Sequence, residues 1–253
     1  MAIMDEFREE REALKNGTFK QKLQYFWDYY KWYVIIGVIV IAMASSFIHD
    51  ILSNKEHGFF AVFLNTQEEN VSARSFRSNL AERLNIDTDN YDVSVDTSMN
   101  ISAISNDEST LNDMQRLSIY MSTGDLDVLA ADSPTFLRYA STDMFYDLRD
   151  ILSKEQLDEY SPYLYYVDMD EVTARMEASI NEDDGYIAKE YDHHVPENMS
   201  DPVPIAICIQ DRPKLQGVYD FPEGDVPMGF MINSSRLEEA LAFLEYLFED
   251  QIS

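Results

Sequence analysis

The sequence predicts an α/β protein, a mostly parallel sheet flanked by helices, preceded by a single transmembrane helix. Three observations carry this reading. From Trp32 to Ile48 the chain runs WYVIIGVIVIAMASSFI without a charge. Beyond it, short apolar runs of strand character alternate with stretches of helical spacing, the pattern of βαβ units. The composition is globular, with 45% hydrophobic and 13% aromatic residues among 253, so the large acidic excess does not signal a disordered chain.

The apolar segment comes first. Seventeen residues at about 1.5 Å each cover roughly 25 Å, the short end of what crosses a bilayer. Trp27, Tyr30, Lys31, Trp32 and Tyr33 stand at its entry, where aromatic rings and a snorkelling lysine favour the headgroup level. Arg8, Arg11, Lys15, Lys20, Lys22 and Lys31 precede the span, and within about 20 residues after it stands only Lys55. The positive-inside rule then places the N-terminus in the cytoplasm and the C-terminal part outside. Phe19, Leu23, Phe26 and Trp27 form one apolar stripe leading into the span, so residues 1–31 read as a cytoplasmic amphipathic segment. Residues 32–52 are the span and its exit, and residues 53–253 the extracellular domain. Ala42-Met43-Ala44 has the spacing of a signal-peptidase site. An n-region of over 30 residues with as many acids as bases favours an uncleaved anchor, and cleavage after Ala44 stays open.

In the outer domain, the run from Phe59 to Leu64 is a buried strand. Val71, Phe76, Leu80 and Leu84 fall at near-helical spacing with Ser72 as cap. Residues 91–96 alternate as a strand with one wetter face, and a helix over 109–122 ends at Gly124. Residues 127–131 are a third strand. Ser133-Pro134 opens a helix, Ser133 as N-cap and Pro134 at the tolerated first position. Residues 153–170 read as helical and aromatic-rich, and 181–200 as a polar loop. Strands follow at 205–209 and 228–233, and Ser234 or Ser235 caps a closing helix from Leu237 to Phe248.

The segments Gly124-Asp125-Leu126-Asp127-Val128-Leu129-Ala130-Ala131-Asp132 and Phe145-Tyr146-Asp147-Leu148 carry a resemblance. So does Gly229-Phe230-Met231-Ile232-Asn233-Ser234-Ser235 with Ala240, Phe243, Leu244, Leu247 and Phe248. Together, in this order, they resemble the extracellular solute-binding proteins that serve bacterial ABC importers. The outer domain is too short for two lobes and hangs from an N-terminal helix. The resemblance therefore implies the fold of one lobe of a periplasmic-binding-protein-like domain, in a bacterium, with small-solute binding or descent from it.

Composition excludes several functions. With 47 acidic against 19 basic residues and a net charge of −28, a nucleic-acid partner is excluded, since phosphate binding needs a cationic surface. Almost all of that charge lies in residues 53–253. One cysteine, Cys208, allows neither an intrachain disulfide nor a thiolate cluster. It reads as a small core hydrophobe, and the neighbours His193 and His194 as a poor metal pair, so no metal or cofactor is expected. No phosphate loop and no nucleophile–base motif is present, so an enzyme is not expected.

Ligands of open α/β sheets sit at the carboxyl ends of strands. Those positions offer Asn65, Thr66, Asp96, Asp132 and Ser133, with Tyr163 and Tyr166 as an aromatic platform. Ser133 and Thr97 serve equally well as simple caps, and the tyrosines as packing. The expected function is a membrane-anchored, non-catalytic binder of a small solute, held by lipid contact along the span from Trp32 to Ile48. The alternative is a membrane-tethered interaction domain of a bacterial envelope complex, engaging a protein partner through an exposed tyrosine patch.

Overall fold

Eight residues, Glu56–Phe63 (β1), form the strand on which the rest is laid; Phe59, Ala61, Val62 and Phe63 are wholly buried. The protein is seen in a computed structural model that describes residues 18, 20, 27, 31–45, 55–102, 107–140, 144–181 and 186–249. The chain divides into two units, Met1–Lys55 and Glu56–Ser253.

In the first unit, residues 31–45 are helical, with Val38, Ile39, Val40, Ile41 and Met43 all more than half exposed. Among the described residues no helix is long and apolar enough to cross a membrane. The expected span extends past this helix to Ile48, and its last three residues, like Tyr30, lie outside the described residues. Trp27, Trp32 and Tyr33 are exposed and Lys31 half-buried.

In the second unit, β1 is followed by β2 (Gln67–Glu68), α1 (Asn70–Arg83), β3 (Tyr91–Asp96), α2 (Glu108–Thr123), β4 (Val128–Ala130) and α3 (Ser133–Ala140). Then come α4 (Leu148–Ile151), α5 (Lys154–Tyr160), β5 (Leu164–Asp168), α6 (Met169–Ile180), β6 (Pro202–Cys208), β7 (Tyr219–Asp220), β8 (Pro227–Phe230) and α7 (Leu237–Phe248). Six strands form one sheet in the order β3-β1-β4-β8-β6-β5, while β2 and β7 pair separately.

The expected strand–helix alternation holds through β4, and β3, β1 and β4 are parallel. The expectation of a mostly parallel sheet does not hold. β8 is antiparallel to both β4 and β6, and β5 is antiparallel to β6, so the sheet is mixed. The cause lies in the connections. A parallel neighbour needs a crossover, usually helical, whereas the chain from β6 to β8 turns through a short 3-10 segment and β7 and comes straight back.

Alternation along the strands sends side chains to two cores. Phe59, Ala61 and Phe63 pack with Phe76 and Leu80 of α1 and Phe243, Leu244 and Leu247 of α7. Phe60, Val62 and Leu64 pack on the other face with Leu117 of α2 and Phe136 of α3. The result is a three-layer α/β/α arrangement.

Several local expectations are corrected. Glu69, not Ser72, caps α1, its carboxylate taking the Ser72 N–H at 2.7 Å. Asp132, not Ser133, receives the Thr135 N–H at the start of α3. Neither Ser234 nor Ser235 caps α7, whose N-cap residue is Arg236; the Ser234 hydroxyl is bonded to Asp127. Residues 153–170 are not one helix: after Pro162 the chain extends as β5, where Tyr165 and Val167 face one core and Leu164 the other. Tyr160 and Tyr165 are buried and Tyr163 and Tyr166 half-buried, so the exposed tyrosine patch expected of an interaction domain is absent among the described residues.

Candidate functional site

The polar residues predicted at the strand ends do not form one site. Asn65 follows β1 in the left-handed region, φ 56°, which asparagine tolerates. Its amide donates to Asp132 Oδ1 at 2.6 Å, Ile101 O at 3.0 Å and Thr135 Oγ1 at 3.2 Å, and accepts the Ile101 N–H at 2.8 Å. Asn65 and Asp132 are thus brought together, but as a clasp between the loop after β3 and α3. Thr66 is buried and its hydroxyl donates to Leu64 O. Asp96 stands on the outermost strand, 3.3 Å from Arg116. Tyr163 and Tyr166 pack towards the α7 side of the sheet. Asn65 and Asp132 border one open depression and Asp96 another, while Ser133 borders a deeper, partly enclosed cavity.

That cavity, about 420 Å³, lies on the α3 side of the sheet. Ser133, Pro134 and Leu137 of α3 form one wall, and Val167, Asp168, Glu171, Val172 and Arg175 from the β5–α6 junction the opposite one. Residues 188–191 and His193 close it as a strap. Two carboxylates hold the strap down. Asp168 accepts from the Tyr191 hydroxyl at 2.7 Å and from the Ser200 and Asp201 N–H groups at 2.9 and 3.1 Å. Burial alone raises the Asp168 carboxyl, but these donors outweigh it and hold it below the usual range. Glu171 accepts from the Tyr186 hydroxyl and from the Lys189 N–H.

Both acids are thus engaged, and beside them stands a cationic side chain that also interacts with Tyr186. Arg175 Nε is buried and has no hydrogen-bond partner among the described residues, a costly state unless a ligand or water accepts from it. Pro134, Leu137, Val167, Val172 and Ala188 give the lining its apolar part, while Lys189 and Glu190 of the strap add charged side chains. Neither Arg175 nor the strap was found from the sequence, because α6 was not recognised and a polar loop gives no sign of what it covers.

Tyr165 is wholly buried behind two of the lining residues, its hydroxyl 2.5 Å from Ser133 Oγ and its ring stacked on His193 at 4.4 Å. Burial pushes the His193 imidazole below its ordinary range; its Nδ1 bonds Tyr166 O at 2.7 Å. Beyond Tyr165, His194, Cys208 and Asp225 converge, their ligand atoms within 4.8 Å of one another. His194 Nε2 is 3.2 Å from Asp225 Oδ2 and 4.0 Å from Cys208 Sγ, while Nδ1 meets Leu164 O at 3.0 Å. A nucleophile–base relay needs thiol and carboxylate on opposite ring nitrogens. Here both face Nε2, and burial raises the Cys208 thiol far above its usual range, so this is not an activated nucleophile.

No protein-family model matches the chain, and no curated protein or solved structure was found to be similar to it.

Proposed function

We propose that residues 53–253 form a non-catalytic solute-binding domain, held outside a bacterial cell membrane by a single-pass anchor whose N-terminus is cytoplasmic. The fold reading behind it is one lobe of a solute-binding protein. The observation that carries the binding function is the partly enclosed cavity against Arg175, whose buried Nε–H has no acceptor among the described residues. A pocket with mostly apolar walls and a few convergent polar groups suits a small molecule. Ser133 and His193 add polar groups to the lining. The domain's strong negative charge disfavours the approach of anions, so the solute is a neutral or zwitterionic molecule with an acceptor group for Arg175, such as a sugar or an amino acid.

The anchor is supported by the 17 uncharged residues from Trp32 to Ile48, the basic residues before them, and the exposed aliphatic side chains of the 31–45 helix.

The test is thermal unfolding of the full chain against sugars, amino acids and short peptides. A ligand at 100 times its Kd stabilises by about 2.7 kcal/mol. The expected result is a selective upward shift that Arg175→Met removes without lowering the unliganded transition. A flat response across the panel would overturn solute binding and leave a membrane-tethered interaction domain as the better account.

A further inference from the structure

We infer that His194, Cys208 and Asp225 form a binding site for one divalent transition-metal ion of the zinc type, at the carboxyl edge of the sheet. The sequence had dismissed both parts, Cys208 as a core residue and His193–His194 as a poor pair. The fold sends the two histidines apart: His193 stacks on Tyr165, and His194 turns to Cys208 and Asp225.

The position comes from the strand order. β6 ends at Cys208, and β8 begins at Pro227 directly opposite it. Asp225 stands two residues before β8, where its carbonyl accepts the Ser133 N–H at the start of α3. His194 is brought over the same edge by its bond to Leu164, the first residue of β5. Three separate segments therefore deliver one imidazole, one thiol and one carboxylate to one point.

The hydrogen bonding requires a positive charge there. Leu164 O can only accept, so His194 Nδ1 carries the proton. In a neutral ring Nε2 is then a bare lone pair, and it lies 3.2 Å from a carboxylate oxygen. Two lone pairs do not face each other at that distance without a cation. A second proton on the ring would supply one charge, but an ion serves all three groups. Zinc-type ligands sit about 2.0–2.3 Å from the metal, so tetrahedral neighbours are roughly 3.3–3.7 Å apart. The N–O and N–S separations are 3.2 and 4.0 Å, and all three ligand atoms lie within 4.8 Å of one another, so a sub-ångström closing of the sulfur onto the ion completes the set.

The surroundings match the second shell of such sites. The Leu164 carbonyl fixes the imidazole, and Gln210 Nε2 donates to Asp225 Oδ1 at 3.3 Å, leaving Oδ2 to the ion. Cys208 is buried while His194 is exposed, which gives a sulfur shielded from oxidants and an open way in for the metal. As the Sγ–metal bond forms, the thiol proton leaves to solvent, and water fills the fourth position. The two sites adjoin, Asp225 accepting the Ser133 N–H, but metal binding and solute binding are read by separate measurements, so either can fail alone.

The test titrates the metal-free full chain with Co2+ and reads thiolate-to-cobalt charge-transfer absorption, then displaces Co2+ with Zn2+. The expected result is a one-to-one complex whose charge-transfer band is absent in Cys208→Ser. His194→Gln and Asp225→Asn should weaken Zn2+ binding at least tenfold, and Gln210→Ala about 10–100-fold. Unchanged metal-free melting of Asp225→Asn and Gln210→Ala keeps loss of metal distinct from loss of fold. No charge-transfer band, together with an NMR signature of a protonated His194 ring, would overturn the site and leave a plain ion pair with Asp225.

Discussion

Arg236 Nε donates to Asp127 Oδ2 at 3.0 Å, and Asp127 is wholly buried beside the first strand of the sheet. The same carboxylate takes the Phe60 N–H of β1 at 2.8 Å and the Ser234 hydroxyl. One side chain thus fastens β1 to the turn between β8 and α7. Breaking a buried pair from one side costs about 3–5 kcal/mol. Two neutral donors remain after Arg236→Met, so the expected loss is about 3 kcal/mol in denaturant unfolding. Asp127→Asn with Arg236→Met should recover part of it, giving a coupling of roughly 0.5–3 kcal/mol. Purely additive single and double variants would show that the pair is not a unit.

The strap over the cavity should be acid-labile. Asp168 has its folded-state pKa held below the unfolded value of about 3.9. Between the two values the unfolded chain binds more protons, so stability rises with pH through that window. The contribution is complete above it and is lost as pH falls through the folded-state pKa. The protection of the Ser200 and Asp201 amides against hydrogen exchange, corrected for the intrinsic rate at each pH, should therefore fall in acid. In Asp168→Asn that protection should already be lower near neutrality and should lose its dependence on pH. An Asp168→Asn protein whose strap exchange matches the parent at pH 7 would refute the clasp.

Two glycines from the motifs that carried the family resemblance are held by sterics. A Cβ on Gly229 would lie 2.5 Å from Phe145 Cδ1 and 3.0 Å from Phe136 Cζ, two rings stacked 4.8 Å apart. Gly229→Ala should cost about 1–3 kcal/mol, the usual range for overpacking. Gly124 ends α2 at φ +76°, and its Cβ would meet Asn233 O at 2.7 Å. That clash is with backbone, so Gly124→Ala should be the more damaging of the two. Equal unfolding midpoints for parent and both variants would contradict this packing.

These glycines explain which parts of the fold were legible. The bounds of β3 and α7, and the end of α2 at Gly124, follow from alternation, helical period and a left-handed cap, all local signals. Strand direction is not local: the apolar run from Met228 reads alike whichever way it enters the sheet, so the antiparallel placement of β8 stayed hidden. The site was less legible still. Asn65 and Asp132 were correctly placed at strand ends, but whether polar groups there are spent on each other depends on contacts across 67 residues. His194, Cys208 and Asp225 come from three segments, and no spacing rule links them.

Arg212 poses a problem of charge burial that a pair of substitutions can resolve. It is 2% exposed, its guanidinium carbon lies 4.2 Å from the Tyr163 ring centre and 4.4 Å from that of Phe248, and Nε and Nη1 have no hydrogen-bond partner among the described residues. Contact with two ring faces stabilises a desolvated cation by about 2 kcal/mol or more, while removing such an ion from water costs several kcal/mol. The rings therefore do not compensate in full, and the side chain earns its place as packing volume between Tyr163 and Phe248. Arg212→Met keeps most of that volume and removes the charge, so its unfolding midpoint should equal or exceed the parent's. Arg212→Ala leaves a cavity and should cost about 2–4 kcal/mol, as large-to-small core changes do. If Arg212→Met destabilises as much as Arg212→Ala, the cation–ring contact, not the volume, holds this corner of the core.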